Sequence, residues 1–100
     1  MRRFTTPTHI FTLPFDTSII SKVRVIYAQS EAIVFVKEKN NCKTSGNTLR
    51  VTLTQEETAM LDCKKNFVEI QMHILTEDGA SLVSKPLKVA VEKCFDTEVL

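Results

Sequence analysis

Phe67-Val68-Glu69-Ile70-Gln71-Met72-His73-Ile74-Leu75-Thr76 decides the fold. Val68, Ile70, Met72 and Ile74 recur at every second position, with Glu69, Gln71 and His73 between them. An extended chain points successive side chains to opposite faces, so a period of two marks a strand buried on one side. Glu77-Asp78-Gly79 follows, and Asp-Gly tolerates the positive φ of a hairpin turn. The return strand carries Leu82 and Val83, then Leu87, Val89 and Val91. Pro86 interrupts it; proline donates nothing to a ladder, which predicts a bulge or an edge position.

Upstream the same period recurs. Leu49, Val51 and Leu53 alternate with Thr48, Arg50 and Thr52, and Val23, Val25 and Tyr27 alternate with Lys22 and Arg24. Residues 8–13 form a further strand, stopped by Pro14, after which Asp16 is placed to cap a short helical turn carrying Ile19 and Ile20. Thr54-Gln55-Glu56-Glu57 is a capping box ahead of Thr58-Ala59-Met60-Leu61, which predicts one short helical crossover near residues 55–61. Residues 39–47 read as a polar loop. Ala32-Ile33-Val34-Phe35-Val36 is apolar on both faces. It is either a central strand covered twice or a strand whose outer face meets a partner. Strands with one apolar face each must bury it, and two packed sheets are the simplest way. The expectation is an all-β, immunoglobulin-like β-sandwich of about six to seven strands, with a small open barrel as the alternative.

Composition fits one domain. The chain has 100 residues, 43% hydrophobic and 25% charged, and ten Val, seven Ile and twelve Thr supply β-branched side chains suited to a pleated surface. A single domain over residues 1–100 is expected, with 1–6 as a flexible or partner-bound amino-terminal arm. The net charge of +1 offers no basic footprint for nucleic acid. The halves differ: eight Lys/Arg stand against three Asp/Glu in residues 1–50, and five against nine in residues 51–100. Either the fold interleaves these charges or the subunit is dipolar and stacks head to tail. No apolar run nears the roughly 18 residues of a membrane span. Met1-Arg2-Arg3-Phe4-Thr5-Thr6-Pro7 lacks the apolar core of a signal peptide, so a cytoplasmic setting is expected. Cys42, Cys63 and Cys94 are odd in number and far apart, which argues against a disulfide framework.

The search for chemistry finds no catalytic, cofactor-binding or metal-binding set. His9 and His73 stand far apart in sequence and read as surface histidines, and no Cys pair has metal-ligand spacing. Glu56-Glu57 belongs to a cap and Glu77-Asp78 to a turn. Gly46 and Gly79 stand alone, so no phosphate-cradling loop is present. Lys37, Lys39 and Lys43 read as a solvated edge that discourages strand pairing. No enzyme is expected.

Several segments together resemble a family: Arg2-Arg3-Phe4-Thr5-Thr6-Pro7-Thr8, Phe11-Thr12-Leu13-Pro14-Phe15-Asp16, Leu53-Thr54-Gln55-Glu56-Glu57-Thr58, Val68-Glu69-Ile70-Gln71 and Leu75-Thr76-Glu77-Asp78-Gly79. They are similar to small proteins encoded among the virion-structural genes of phages and prophages of Gram-positive bacteria. The likeness runs from Arg2 to Val99, and extends more loosely to the immunoglobulin-like module of phage baseplate proteins. Three places depart from the family pattern: Phe4 stands where a glycine is usual, Ala28-Gln29-Ser30 lacks the glycine of the first hairpin, and Asp96–Leu100 replaces a glycine-bearing tail. The resemblance implies a non-catalytic tail, baseplate or head accessory subunit. It would act on itself or on another virion protein, in the bacterial cytoplasm during assembly and then in the virion. The candidate interface is Ile33, Val34, Phe35 and Val36 with Arg2, Arg3 and Phe4. The alternative is a module that binds carbohydrate or peptide on a host surface, for which exposed Phe4, Phe35 or Phe95 around a groove would be the sign.

Overall fold

A computed structural model describes residues 1–92. The chain is mostly strand: β1 (Thr8–Thr12), β2 (Ile20–Gln29), β3 (Ala32–Glu38), β4 (Cys42–Ser45), β5 (Thr48–Thr52), β6 (Phe67–Thr76), β7 (Ser81–Val83) and β8 (Leu87–Ala90), with the helix α1 (Gln55–Ala59) between β5 and β6. The strands form two antiparallel sheets. One has the order β1-β5-β4; the other runs β3-β2-β6-β7, with β8 also paired to β6. Among the described residues no helix is long and apolar enough to cross a membrane.

The period-two stripes become the core. Val23, Val25 and Tyr27 of β2, Val68, Ile70 and Ile74 of β6, and Leu49 and Val51 of β5 join Leu53 just beyond it in one buried cluster shared by both sheets. The two caps form where residue chemistry places them. Asp16 accepts from the Ser18 amide ahead of a single 3-10 turn at Thr17–Ile19. Thr54 Oγ1 accepts from the Glu57 amide at 3.1 Å, while Glu57 Oε1 accepts from the Thr54 amide at 2.9 Å. The crossover after β5 carries the chain from the smaller sheet to the larger, as its position in sequence implies.

Several of these expectations need correction. The strands number eight among the described residues, for two reasons. Pro86 divides the return strand into β7 and β8, where Ser84 bridges the gap by receiving the Met72 amide on its hydroxyl at 2.8 Å. The supposed loop at 39–47 holds β4, whose residues are exposed apart from half-buried Cys42, so no apolar stripe announces it. Gly46, at φ 57°, turns β4 into β5, and its carbonyl receives both the amide and the hydroxyl of Thr17, at 2.8 and 2.7 Å. Of the two readings open for the run 32–36, the central strand is excluded, because β3 lies at the edge of its sheet. Lys37 is buried, 7% exposed, and His9 is half-buried between the sheets.

Residues 1–6, expected as a flexible or partner-bound arm, lie against their own domain. The Met1 amino group donates to the Ala90 carbonyl at 2.6 Å, the Glu92 amide donates to Met1 at 2.7 Å, and Arg2 and Glu92 form a parallel bridge. Thr5 exchanges hydrogen bonds with buried Thr58, its amide donating to Oγ1 at 3.0 Å and its carbonyl receiving that hydroxyl at 2.9 Å.

The β2–β3 hairpin closes with Gln29 opposite Ala32, leaving Ser30 and Glu31 as a two-residue loop at φ 50° and 66°. Positive φ at both positions is type I′ geometry, for which Asn-Gly is the favoured pair. The double substitution Ser30→Asn/Glu31→Gly should therefore stabilise the domain by about 1 kcal/mol, raising the thermal midpoint by roughly 4–8 °C. Calorimetry that finds no rise would show that the loop carries no strain.

Candidate interaction site

The apolar run around Phe35 does not present one surface. A register shift falls between Tyr27 and Ala28 of β2, where Tyr27 pairs with Phe35 and Ala28 with Ile33, so Val34 is the extra residue of a bulge. Phe35 turns inward; it is 9% exposed and stacks on Tyr27 with ring centroids 4.6 Å apart. Ile33 and Val36 turn outward, 63% and 38% exposed, beside half-buried Ile26. Of the four candidate residues on β3, Ile33 and Val36 are thus surface groups, Val34 packs partly on the core, and Phe35 belongs to the core.

The other candidates lie elsewhere. Arg2 pairs with Glu92 at 2.8 Å, beyond the β8 end of the larger sheet, opposite the β3 edge. Arg3 donates through Nε and Nη2 to the Ala59 carbonyl, at 3.2 and 2.7 Å, and its guanidinium lies 5.0 Å from the centre of the Phe4 ring. Phe4 is half-buried at φ 61°, a left-handed conformation that costs a bulky side chain energy. The fold does not bring Arg2–Phe4 together with β3. Cys94 and Phe95 lie outside the described residues.

Beneath the β3 edge sits a polar interior that alternation alone does not reveal. Lys37 Nζ donates to Glu57 Oε1 at 2.8 Å, tying the edge strand to α1. For Glu57, burial would raise the carboxyl pKa, but the Lys37 and Thr54 hydrogen bonds and the Lys37 charge outweigh it and hold the group below the ordinary carboxylate range. His9 Nδ1 and the Tyr27 hydroxyl lie 2.8 Å apart, joining β1 of one sheet to β2 of the other. Burial, and then the positive amino terminus, lowers the His9 pKa; burial also raises that of Tyr27. The buried Gln29 side chain donates to the Asp62 carbonyl at 3.0 Å and accepts from the Asp62 amide at 2.9 Å, so it mimics a strand and fixes the chain after α1. Burial raises the Cys42 pKa despite nearby Lys37, which keeps the thiol protonated, and its Sγ donates to the Glu38 carbonyl at 3.2 Å. Alternation flags apolar faces, so a Lys or Gln on the inner face reads as solvated until its partner is known.

Two open grooves adjoin one another. The larger, about 690 Å³, is lined by Ser21, Lys22, Val23 and Arg24 of β2, by Glu38–Asn40, and by Cys42 and Thr44 of β4. The smaller, about 300 Å³, shares Lys22–Arg24 and adds His73, Leu75 and Ser81. His73 Nε2 lies 2.8 Å from Ser81 Oγ, an exposed pair across the β6–β7 hairpin. Among the described residues no group of three or more His, Cys, Asp or Glu is placed to hold a metal ion. Comparison with known proteins finds no matching family model, no similar curated protein and no similar solved structure.

Proposed function

We propose that this chain is a non-catalytic assembly subunit of a phage-type particle, an immunoglobulin-like domain of the tail, baseplate or head that acts through protein–protein contacts. The observation that carries the reading is the β3 edge, where Ile33 and Val36 stand exposed side by side with Ile26 on an outer sheet face. Apolar groups grouped at a sheet edge are what a second protein covers. Two interior pairs support it. Lys37 with Glu57, and His9 with Tyr27, each hold two elements together and stand away from the open grooves.

Phe4 and the first hairpin depart from the glycines of the resembled proteins, and Phe4, Ser30 and Glu31 adopt the positive φ that glycine takes most readily. The host-surface reading needs exposed aromatics around a groove, and Phe35 is buried.

The experiment is multi-angle light scattering with the wild type and Ile33→Lys. The wild type should associate with itself, or be captured by a virion protein from the same gene cluster. Ile33→Lys should abolish either contact with less than about 0.5 kcal/mol lost in folding stability, because the position is exposed. A strict monomer at millimolar concentration that captures no virion protein would refute the proposal.

A further inference from the structure

The larger groove is a gap in a sheet. β2 runs ten residues, Ile20–Gln29, and on one side β6 pairs along almost all of it. On its other side β3 pairs only with Arg24–Gln29. At Glu38 the chain leaves the sheet through the 3-10 turn Lys39–Asn41 and crosses to β4. Ile20–Val23 therefore have no neighbouring strand on that side among the described residues, and the groove of about 690 Å³ lies along this stretch.

The gap differs from the edge beside it. β3 is guarded against strand pairing by the bulge at Val34 and by inward-pointing Lys37, two devices that keep edges apart. The register shift in the gap lies between Ile20 and Lys22, on the pairing with β6, and no inward-pointing charge stands among Ile20–Val23. One side chain already does a strand's work there: Lys39 Nζ donates to the Ile20 carbonyl at 2.7 Å. The far wall is β4, which among the described residues pairs with β5 alone.

Charge selects the occupant. Among the described residues, Lys22, Arg24 and Lys39 line the groove against the single carboxylate of Glu38, and neither Lys22 nor Arg24 forms an ion pair. We infer that the gap beside Ile20–Val23 receives an extended acidic segment of a partner protein as an added strand, in line with β3. Main-chain hydrogen bonds to β2 would supply affinity, and Lys22 and Arg24 would favour carboxylates on the incoming segment. This rests on the assembly reading and names the kind of segment the partner offers.

The test uses blocked octapeptides added to the 15N-labelled full chain. An alternating Glu–Val peptide should shift the amides of Ile20–Arg24, Lys39 and Cys42–Thr44, and slow hydrogen exchange within 20–23. The same peptide with every amide methylated, and an alternating Lys–Val peptide, should do neither. Lys22→Glu/Arg24→Glu should weaken binding about tenfold, and raising salt should weaken it further. Equal binding of the Lys–Val or methylated peptide, shifts centred on β7 and β8, or the same shifts with inorganic phosphate alone would each overturn the inference. Its failure is separable from failure of the assembly reading. If the gap binds nothing but Ile33→Lys still breaks association, only the added strand is refuted. If the gap binds but no association exists, the β3 contact is refuted.

Discussion

Glu57→Ala is expected to cost the domain about 3–5 kcal/mol, because it strands the Lys37 ammonium inside the fold. The Lys37 side chain is 9% exposed and Glu57 21%, and the pair is closed by the 2.8 Å hydrogen bond. Lys37→Met should behave differently. It keeps the stem that packs on the core and removes the buried charge together with its desolvation cost, so stability should move by less than about 1 kcal/mol, in either direction. Lys37→Met/Glu57→Ala should then recover most of the loss, leaving about 1 kcal/mol for the capping box that Glu57 also closes. Urea titration of the four proteins measures the cycle. Equal losses for the two single variants would mean that the pair acts as a surface bridge. The pH dependence has a definite sign. The folded pKa of Glu57 lies below its ordinary 4.5, so its stabilisation is full above that value and disappears as the pH falls through the folded value.

Strand after strand was legible because alternation, turns and caps agree. Val68 to Ile74, Leu49 to Leu53 and Val23 to Tyr27 each name a buried face, and the caps at Asp16 and Thr54 close where their residue types put them. Failure sets in where a strand lacks an inner apolar stripe or carries a polar residue inward. β4 is the first kind, with only Cys42 half-buried. Lys37 and Gln29 are the second: both point inward and both find partners distant in sequence, Glu57 and Asp62. No local pattern encodes such a partner. The β3 run was ambiguous for a related reason. A bulge shifts the register after Tyr27, so Ile33 and Phe35 lie on opposite faces although they stand two positions apart. The groove beside Ile20–Val23 was out of reach, because it depends on where β3 stops relative to β2, a length mismatch visible only once the strands are paired.

Tyr27→Ala should cost about 3–5 kcal/mol, a large share of the roughly 5–15 kcal/mol that holds a domain of this size folded. Tyr27 is fully buried; it stacks on Phe35 and meets His9 of the opposite sheet, so its removal opens a cavity where the two sheets touch. Tyr27→Phe keeps the ring and deletes only the hydroxyl. The expected loss is about 1–3 kcal/mol, toward the lower figure because half-buried His9 regains some solvent contact. The same contact makes the fold sensitive to acid. Burial holds the His9 pKa below its ordinary 6.5, so the fold favours the neutral ring. Stability from this site is therefore complete above pH 6.5 and is lost as the pH falls through the lower folded value, starting before the loss from Glu57. His9→Gln cannot titrate and should remove the first of these two steps while leaving the second. Thermal melts of wild type and His9→Gln between pH 7.5 and 3.5 separate them. Curves that fall in parallel from pH 6.5 would place the first step on another group, and His9 would then be a packing residue alone.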